Sequence, residues 1–193
     1  CGGCKWQFLA YEEQLKVKEA QVRDSVERLA GLNPELVLPI VGNDNPWLYR
    51  NKMEFSFALS KDGGTQLGLY PPGFHFEVFD LEECFLQSEW AVEVVQKVRA
   101  FAIEHKIPVY NSHNHEGLLK TLMVREGKNT GERMIVLTTS TGLFEQKEAF
   151  IELFENDSSV TSLYWNSVYQ IPGQPTWTEQ NLLAGKEALT EVL

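Results

Sequence analysis

Apolar residues recur along this chain first at helical spacing and then at strand spacing. Phe8, Tyr11, Leu15, Val22, Val26 and Leu29 fall near heptad intervals with charges between them. That spacing predicts an amphipathic helix whose stripe packs on the body of the protein. Gly31 supplies a cap at its C-terminus, and Pro34 blocks continuation. From Met53 the period shortens to two. Met53, Phe55, Phe57 and Leu59 alternate with Lys52, Glu54, Ser56 and Ala58, the pattern of a half-buried strand. KDGG is turn chemistry, and Leu67 and Leu69 continue on a second strand. A third strand is expected at FHFEVFDL, after the turn at Pro71, Pro72 and Gly73.

Helical spacing returns after Ser88, a capping residue, with Trp90, Val94, Val98 and Phe101 on one face and Pro108 beyond the end. LLKTLMVRE and RMIVLTT then read as two strands joined by GKNTG as a hairpin loop. A shorter helix with Phe150, Ile151 and Phe154 facing inward leads to a strand at VTSLYWNSV. From the third strand onward the order is β-α-β-β-α-β, the ferredoxin-like pattern. The expected class is α+β: an amphipathic helix, an antiparallel hairpin or meander, and a ferredoxin-like central domain. Residues 1–34 hold the cysteine motif and helix, 35–172 the central domain, and 173–193 a less regular connector.

Composition narrows the function classes. At 43% hydrophobic and 11% aromatic, the chain lies well outside the disordered class. No apolar run approaches the roughly 18 residues of a membrane span and no signal peptide is visible, so no membrane partner is expected. A net charge of −10 speaks against a dedicated nucleic-acid-binding module. Any such role needs a local basic face on an acidic body. The three cysteines, Cys1, Cys4 and Cys84, are an odd count that points to a reducing, cytoplasmic compartment rather than a secreted disulfide scaffold.

The opening CGGC, followed by a helix, admits three readings. A thioredoxin-type pair needs a strand before the motif within a βαβ unit. Two incidental thiols need nothing more, since cysteine packs as a small hydrophobe. A metal or iron–sulfur site uses C-x-x-C to converge two thiolates, with glycines that let the backbone wrap close. Cys84 is the remaining thiol, and His75, His105, His113 and His115 make a Cys3His zinc site conceivable. Spacing alone does not choose among these.

Four stretches in order, CGGCKWQFLAYEEQLKVK, YRNKMEFSF, DLEECFLQS and NHEGLLKTLMVRE, resemble the RNA uracil-5 methyltransferases, most closely the branch that methylates uridines in 23S ribosomal RNA. The resemblance covers almost the whole chain. It implies a [4Fe–4S] cluster on four cysteines in the pattern C-x5-C-G-G-C plus one distant Cys, matched here by Cys1, Cys4 and Cys84. The first ligand would lie just upstream of residue 1. It also implies a small β-barrel RNA-binding domain before this region. A Rossmann-like domain after it would bind S-adenosylmethionine and supply a nucleophilic cysteine and a general base. This sequence contains no G-x-G, and the resemblance assigns all three cysteines to the cluster. The chain is therefore expected to be a non-catalytic central fragment that contacts ribosomal RNA and the methyltransferase domain. Arg50 and Lys52, in the family's basic Tyr-Arg-x-[Arg/Lys] element, and Lys120 and Arg125, on the strand after SHNHEG, are the expected RNA contacts. The competing reading is a non-catalytic α+β interaction module with a zinc or redox C-x-x-C, which the acidic charge favours.

Overall fold

A computed structural model describes residues 1–74, 77–170 and 173–192. The chain divides into two units, Cys1–Trp47 and Leu48–Leu193.

In the first unit, α1 spans Tyr11–Arg28. Acidic Glu12 and Glu13 open it and Arg28 closes it, each favourable to the helix dipole. Pairs at i, i+4, Arg23–Glu19 at 3.0 Å and Arg28–Asp24 at 2.7 Å, brace its surface. Gly31, at φ 65°, turns the chain out of the helix as expected. Within the first unit α1 buries no residue, and Phe8 and Leu29 are 87% and 86% exposed. Inside this unit polar contacts tie the following segment to the helix. Arg23 donates to the Pro34 carbonyl, Ile40 N–H to Glu19 Oε2, and Asn43 N–H to the Tyr11 hydroxyl. Residues 34–43 thus run back along the helix as a strap, with Gly42 beside Leu15 and Tyr11.

The second unit is built on β1 (Lys52–Leu59), β2 (Thr65–Leu69), β3 (Phe79–Asp80), α2 (Glu89–Glu104), β4 (Leu119–Glu126), β5 (Arg133–Ser140), α3 (Lys147–Glu152), β6 (Val160–Tyr169) and β7 (Trp177–Gly185). All seven strands join one sheet in the order β3-β2-β1-β4-β5-β6-β7. Every pairing is antiparallel except β5 with β6, which α3 connects. Both hairpins fall where the turn residues predict them.

The ferredoxin-like arrangement is not what this order shows. That pattern sets its first and third strands, here β3 and β5, side by side. Instead β3 lies at the sheet's edge on β2, while β5 sits between β4 and β6. The reason is relative pairing length. β1 aligns with β4 from Lys52↔Arg125 to Ser56↔Thr121 and occupies that edge, whereas β3 offers two residues. The third strand expected at residues 74–81 is reduced to Phe79–Asp80; His75 and Phe76 lie outside the described residues. Residues assigned to a connector also contribute a strand, since β7 pairs along β6 from Tyr169↔Trp177 to Ser162↔Gly185.

Helices α2 and α3 cover one face of the sheet. Met53, Phe55, Phe57, Leu122, Val124 and Ile135 meet Val94, Val98, Phe101 and Phe150 in a single core. Phe150 is fully buried with its ring 5.6 Å from those of Phe101 and Phe154. Ser88 caps α2 by accepting from Ala91 N–H at 3.1 Å, and its hydroxyl donates to Glu126 Oε1 at 2.6 Å. Glu126 is buried, and Lys128 and Arg133 pair with it at 3.2 and 3.7 Å. The cap therefore fastens the start of α2 to the end of β4.

Candidate nucleic-acid interface

Strand alternation sorts the expected RNA contacts. On β1 the residues facing away from α2 and α3 are Lys52, Glu54 and Ser56; on β4 they are Thr121, Met123 and Arg125. Lys52 and Arg125 are register partners, both exposed, on this second face. Arg50 departs from them: its guanidinium lies 3.3 Å from the Met53 sulfur, and its backbone N–H donates to the Leu86 carbonyl. Glu191 stands near Arg125. Burial acts to raise its carboxyl, but hydrogen bonds from the backbone of Val192, Asn129 and Lys128, with the Arg125 charge, hold it below the usual value.

Lys120 occupies a different setting. The β4–β5 register shifts between Leu119 and Thr121, so Lys120 sits in a bulge, a device that re-aims a side chain. Its ammonium lies 4.1 Å over the Tyr110 ring and donates to Gln170 Oε1 at 2.9 Å. Burial holds it below the ordinary lysine value. Tyr110 in turn shares a 2.8 Å hydrogen bond with His115 Nδ1. Among the described residues none of Arg50, Lys52, Lys120 and Arg125 enters an ion pair, although nine other cations of the chain do. Sequence reasoning missed Tyr110 and Gln170. The bulge that brings them to Lys120 leaves no mark on the alternation.

The cysteines are free thiols. Cys1 is exposed; Cys4 and Cys84 are half-buried. Cys84 rests against the core of the second unit, while Cys1 and Cys4 belong to the first. Three thiols are one short of a four-thiolate cluster, and among the described residues no three of His, Cys, Asp and Glu are grouped to hold a metal. The residues present do not make a complete cluster site. His113 and His115 lie in the exposed loop at residues 111–116, where His115 is engaged by Tyr110. Among the described residues no helix is long and apolar enough to cross a membrane.

No family model matches the chain. A Bacillus cereus protein named Uncharacterized RNA methyltransferase is 40% identical over 152 residues, 79% of this chain and 33% of that protein. A Clostridium tetani protein of the same name is 33% identical over 194 residues, all of this chain and 42% of that one. Among solved structures, the Pyrococcus abyssi tRNA (uracil-54, C5)-methyltransferase in complex with S-adenosyl-L-homocysteine superposes with a TM-score of 0.71. It is 26% identical, and the match covers 99% of this chain and 43% of that one. The chain thus spans less than half the length of each. Over most of its length the chain is thus similar to proteins named RNA methyltransferase and to one uracil C5-methyltransferase.

Proposed function

We propose that this chain is the central portion of an S-adenosylmethionine-dependent RNA uracil-5 methyltransferase of the 23S ribosomal RNA branch, and that it holds RNA for the reaction. The observation that carries this is the superposition of nearly the whole chain on a uracil C5-methyltransferase. The four motif stretches that resemble the ribosomal branch support the finer assignment.

The chemistry gives such a portion its task. C5 of uracil is a poor nucleophile until a thiolate adds to C6 and creates an enolate, so one base must be extracted and held. S-adenosylmethionine supplies the methyl group. Lys52, Arg125, Lys120 and Arg50 are the proposed phosphate contacts, because none is neutralised by an ion pair among the described residues of an acidic chain. The thiol that attacks C6 is proposed to come from outside this sequence. Cys84 is packed against the core, and the resemblance gives Cys1 and Cys4 to the cluster motif. Together with Cys84 they are proposed as three of the four cluster ligands on that resemblance alone, with no part in the reaction. The odd cysteine count favours a cytoplasmic setting.

Tritiated S-adenosylmethionine and 23S ribosomal RNA test the proposal. The full-length protein is expected to label the RNA at C5 of uridine, and the 193-residue chain to give no label above a no-protein control. Label transferred by the chain alone overturns its non-catalytic share. A full-length enzyme that modifies transfer RNA and ignores 23S RNA overturns the branch.

A further inference from the structure

Residues 186–192 run beside the β4–β5 hairpin and are held along their course. The chain turns out of β7 at Gly185, at φ 82°, where a Cβ would run into the Thr161 carbonyl. Lys186 N–H donates to that carbonyl at 2.9 Å. On β6, Ser162 and Tyr164 donate their hydroxyls to the Lys186 and Glu187 carbonyls at 2.7 and 2.8 Å. From the hairpin, the Thr130 hydroxyl donates to the Thr190 carbonyl at 2.7 Å, and the Asn129 carboxamide to the Val192 carbonyl at 2.6 Å. The Glu132 carboxylate accepts from Thr190 N–H at 2.7 Å and from the Lys186 ammonium at 2.5 Å. Glu191 closes the opposite direction: its carboxylate accepts from the backbone N–H groups of Lys128 and Asn129 at 2.5 and 3.1 Å.

These contacts differ from those of a tail lying loosely on a surface. Glu187, Ala188, Leu189 and Glu191 are good helix formers, yet the segment runs without helix, so tertiary contacts override its local preference. A flexible linker would be rich in Gly and Ser, and neither occurs from Lys186 to Val192. Gly127 leaves room for the approach: a Cβ there would overlap the Thr130 hydroxyl and stand 3.1 Å from the Thr190 carbonyl oxygen. The Lys186 ammonium, and after it the Thr190 N–H, hold the Glu132 carboxyl below its usual value. Glu191 also lies near Arg125, the register partner of Lys52, so the segment leaves the sheet at the end that carries those two cations.

We infer that the β4–β5 hairpin is a clasp: through Thr130, Glu132 and Glu191 it fixes the course of residues 186–192. It thereby positions the methyltransferase domain that follows this region in the proposed reading, on which the inference rests. Attack on C6 needs thiol and base held about 3–3.5 Å apart. Where one part of a protein holds the RNA and another supplies the thiol, the joint between them must be stiff to meet that demand. Bonding the backbone of residues 186–192 to a hairpin removes rotations that a free tail would keep. Thr130, Glu132 and Glu191 are thus positioning residues, which touch the joint and neither base nor cofactor.

The test is the double variant Glu132→Ala, Glu191→Ala, read first by amide hydrogen exchange in the 193-residue chain. In the wild type the amides of Lys128, Asn129 and Thr190 should be protected. In the variant they should exchange about tenfold faster or more, while those of β4, β5 and β6 keep their protection. In the full-length enzyme the same variant should lower kcat for RNA methylation by about tenfold and leave KM for S-adenosylmethionine unchanged. Thr130→Val removes one hydroxyl and keeps the side chain's shape; it should move both readouts the same way by a smaller factor, and it serves where the double variant fails to fold. Wild-type amides that exchange as in an unstructured peptide, or variants that exchange as the wild type does, overturn the clasp. Faster exchange with unchanged kcat overturns its positioning role. Failure of the methyltransferase reading looks different: the full-length protein labels no RNA, while the chain still shows protection that the variant removes.

Discussion

Lys52 stands directly across the β1–β4 seam from Arg125, two like charges in register on adjacent antiparallel strands. Opposed like charges weaken a strand pair, and no ion pair among the described residues offsets either one. A polyanion lying over both would turn the repulsion into shared attraction. Lys52→Ala is accordingly expected to stabilise the unliganded chain by about 0.2–1 kcal/mol at low salt. The same change should weaken RNA binding and flatten its salt dependence by roughly 0.7 of a unit for a single strand. Urea titration and binding isotherms over a salt series measure the two effects, and a destabilised variant with unaltered salt slope would assign Lys52 to the fold alone.

Phe150 anchors the helical layer. Fully buried and ringed by Phe101, Phe144 and Phe154, it leaves a large cavity when cut back. Phe150→Ala should cost about 3–5 kcal/mol in chemical denaturation.

Gln87 is 1% exposed, and neither its amide nitrogen nor its oxygen finds a partner among the described residues. Replacement by Met, close in shape and free of that unmet polarity, is expected to stabilise by about 1–3 kcal/mol. A loss of stability instead would mean that the amide is satisfied by a trapped water.

Lys120 should give the alkaline stability curve a distinct shape. Burial lowers its folded value from 10.5, so between the folded and unfolded values the unfolded chain binds more protons. Stability contributed by this group therefore rises as pH climbs through that window, opposite to a lysine held by a carboxylate. Comparing wild type with Lys120→Met from neutral pH to above 10.5 isolates the contribution; the variant should lack it.

Gly117, at φ 93°, closes the loop that carries His115. A Cβ there would stand 2.1 Å from the Val109 carbonyl oxygen, an impossible contact with backbone. Gly117→Ala should cost more than about 1 kcal/mol in thermal unfolding and loosen the Tyr110–His115 contact.

The parts legible in the sequence are those where burial writes a period. Met53, Phe55 and Phe57 declare β1, and Trp90, Val94 and Val98 declare α2, because each position faces the same core. KDGG and GKNTG mark both hairpins through backbone demands that few residues meet. Strand order was not legible, since it depends on which edge β1 takes, and its partner on β4 is far along the chain. Nor was β7: Trp177–Gly185 is an exposed edge strand whose pairing is carried by backbone, so its side chains show no clean alternation. The α1 stripe shows in the spacing, but the polar strap that Glu19, Arg23 and Tyr11 hold against that helix does not. Of the candidate site, the cations could be named from the sequence. Their neighbours could not, because the bulge in β4 is what brings Tyr110 and Gln170 to Lys120.

The β1–β4 seam also sets how this sheet assembles in time. Its partners are roughly seventy residues apart, while each flanking hairpin closes over a short turn. The hairpins can form in microseconds, but the seam must wait for loop closure across β2, β3 and α2. Folding of this unit should therefore be limited by one late docking of two preformed halves. The Lys52–Arg125 repulsion is paired only in that step, so relieving it should speed folding rather than slow unfolding if the seam is already formed in the transition state.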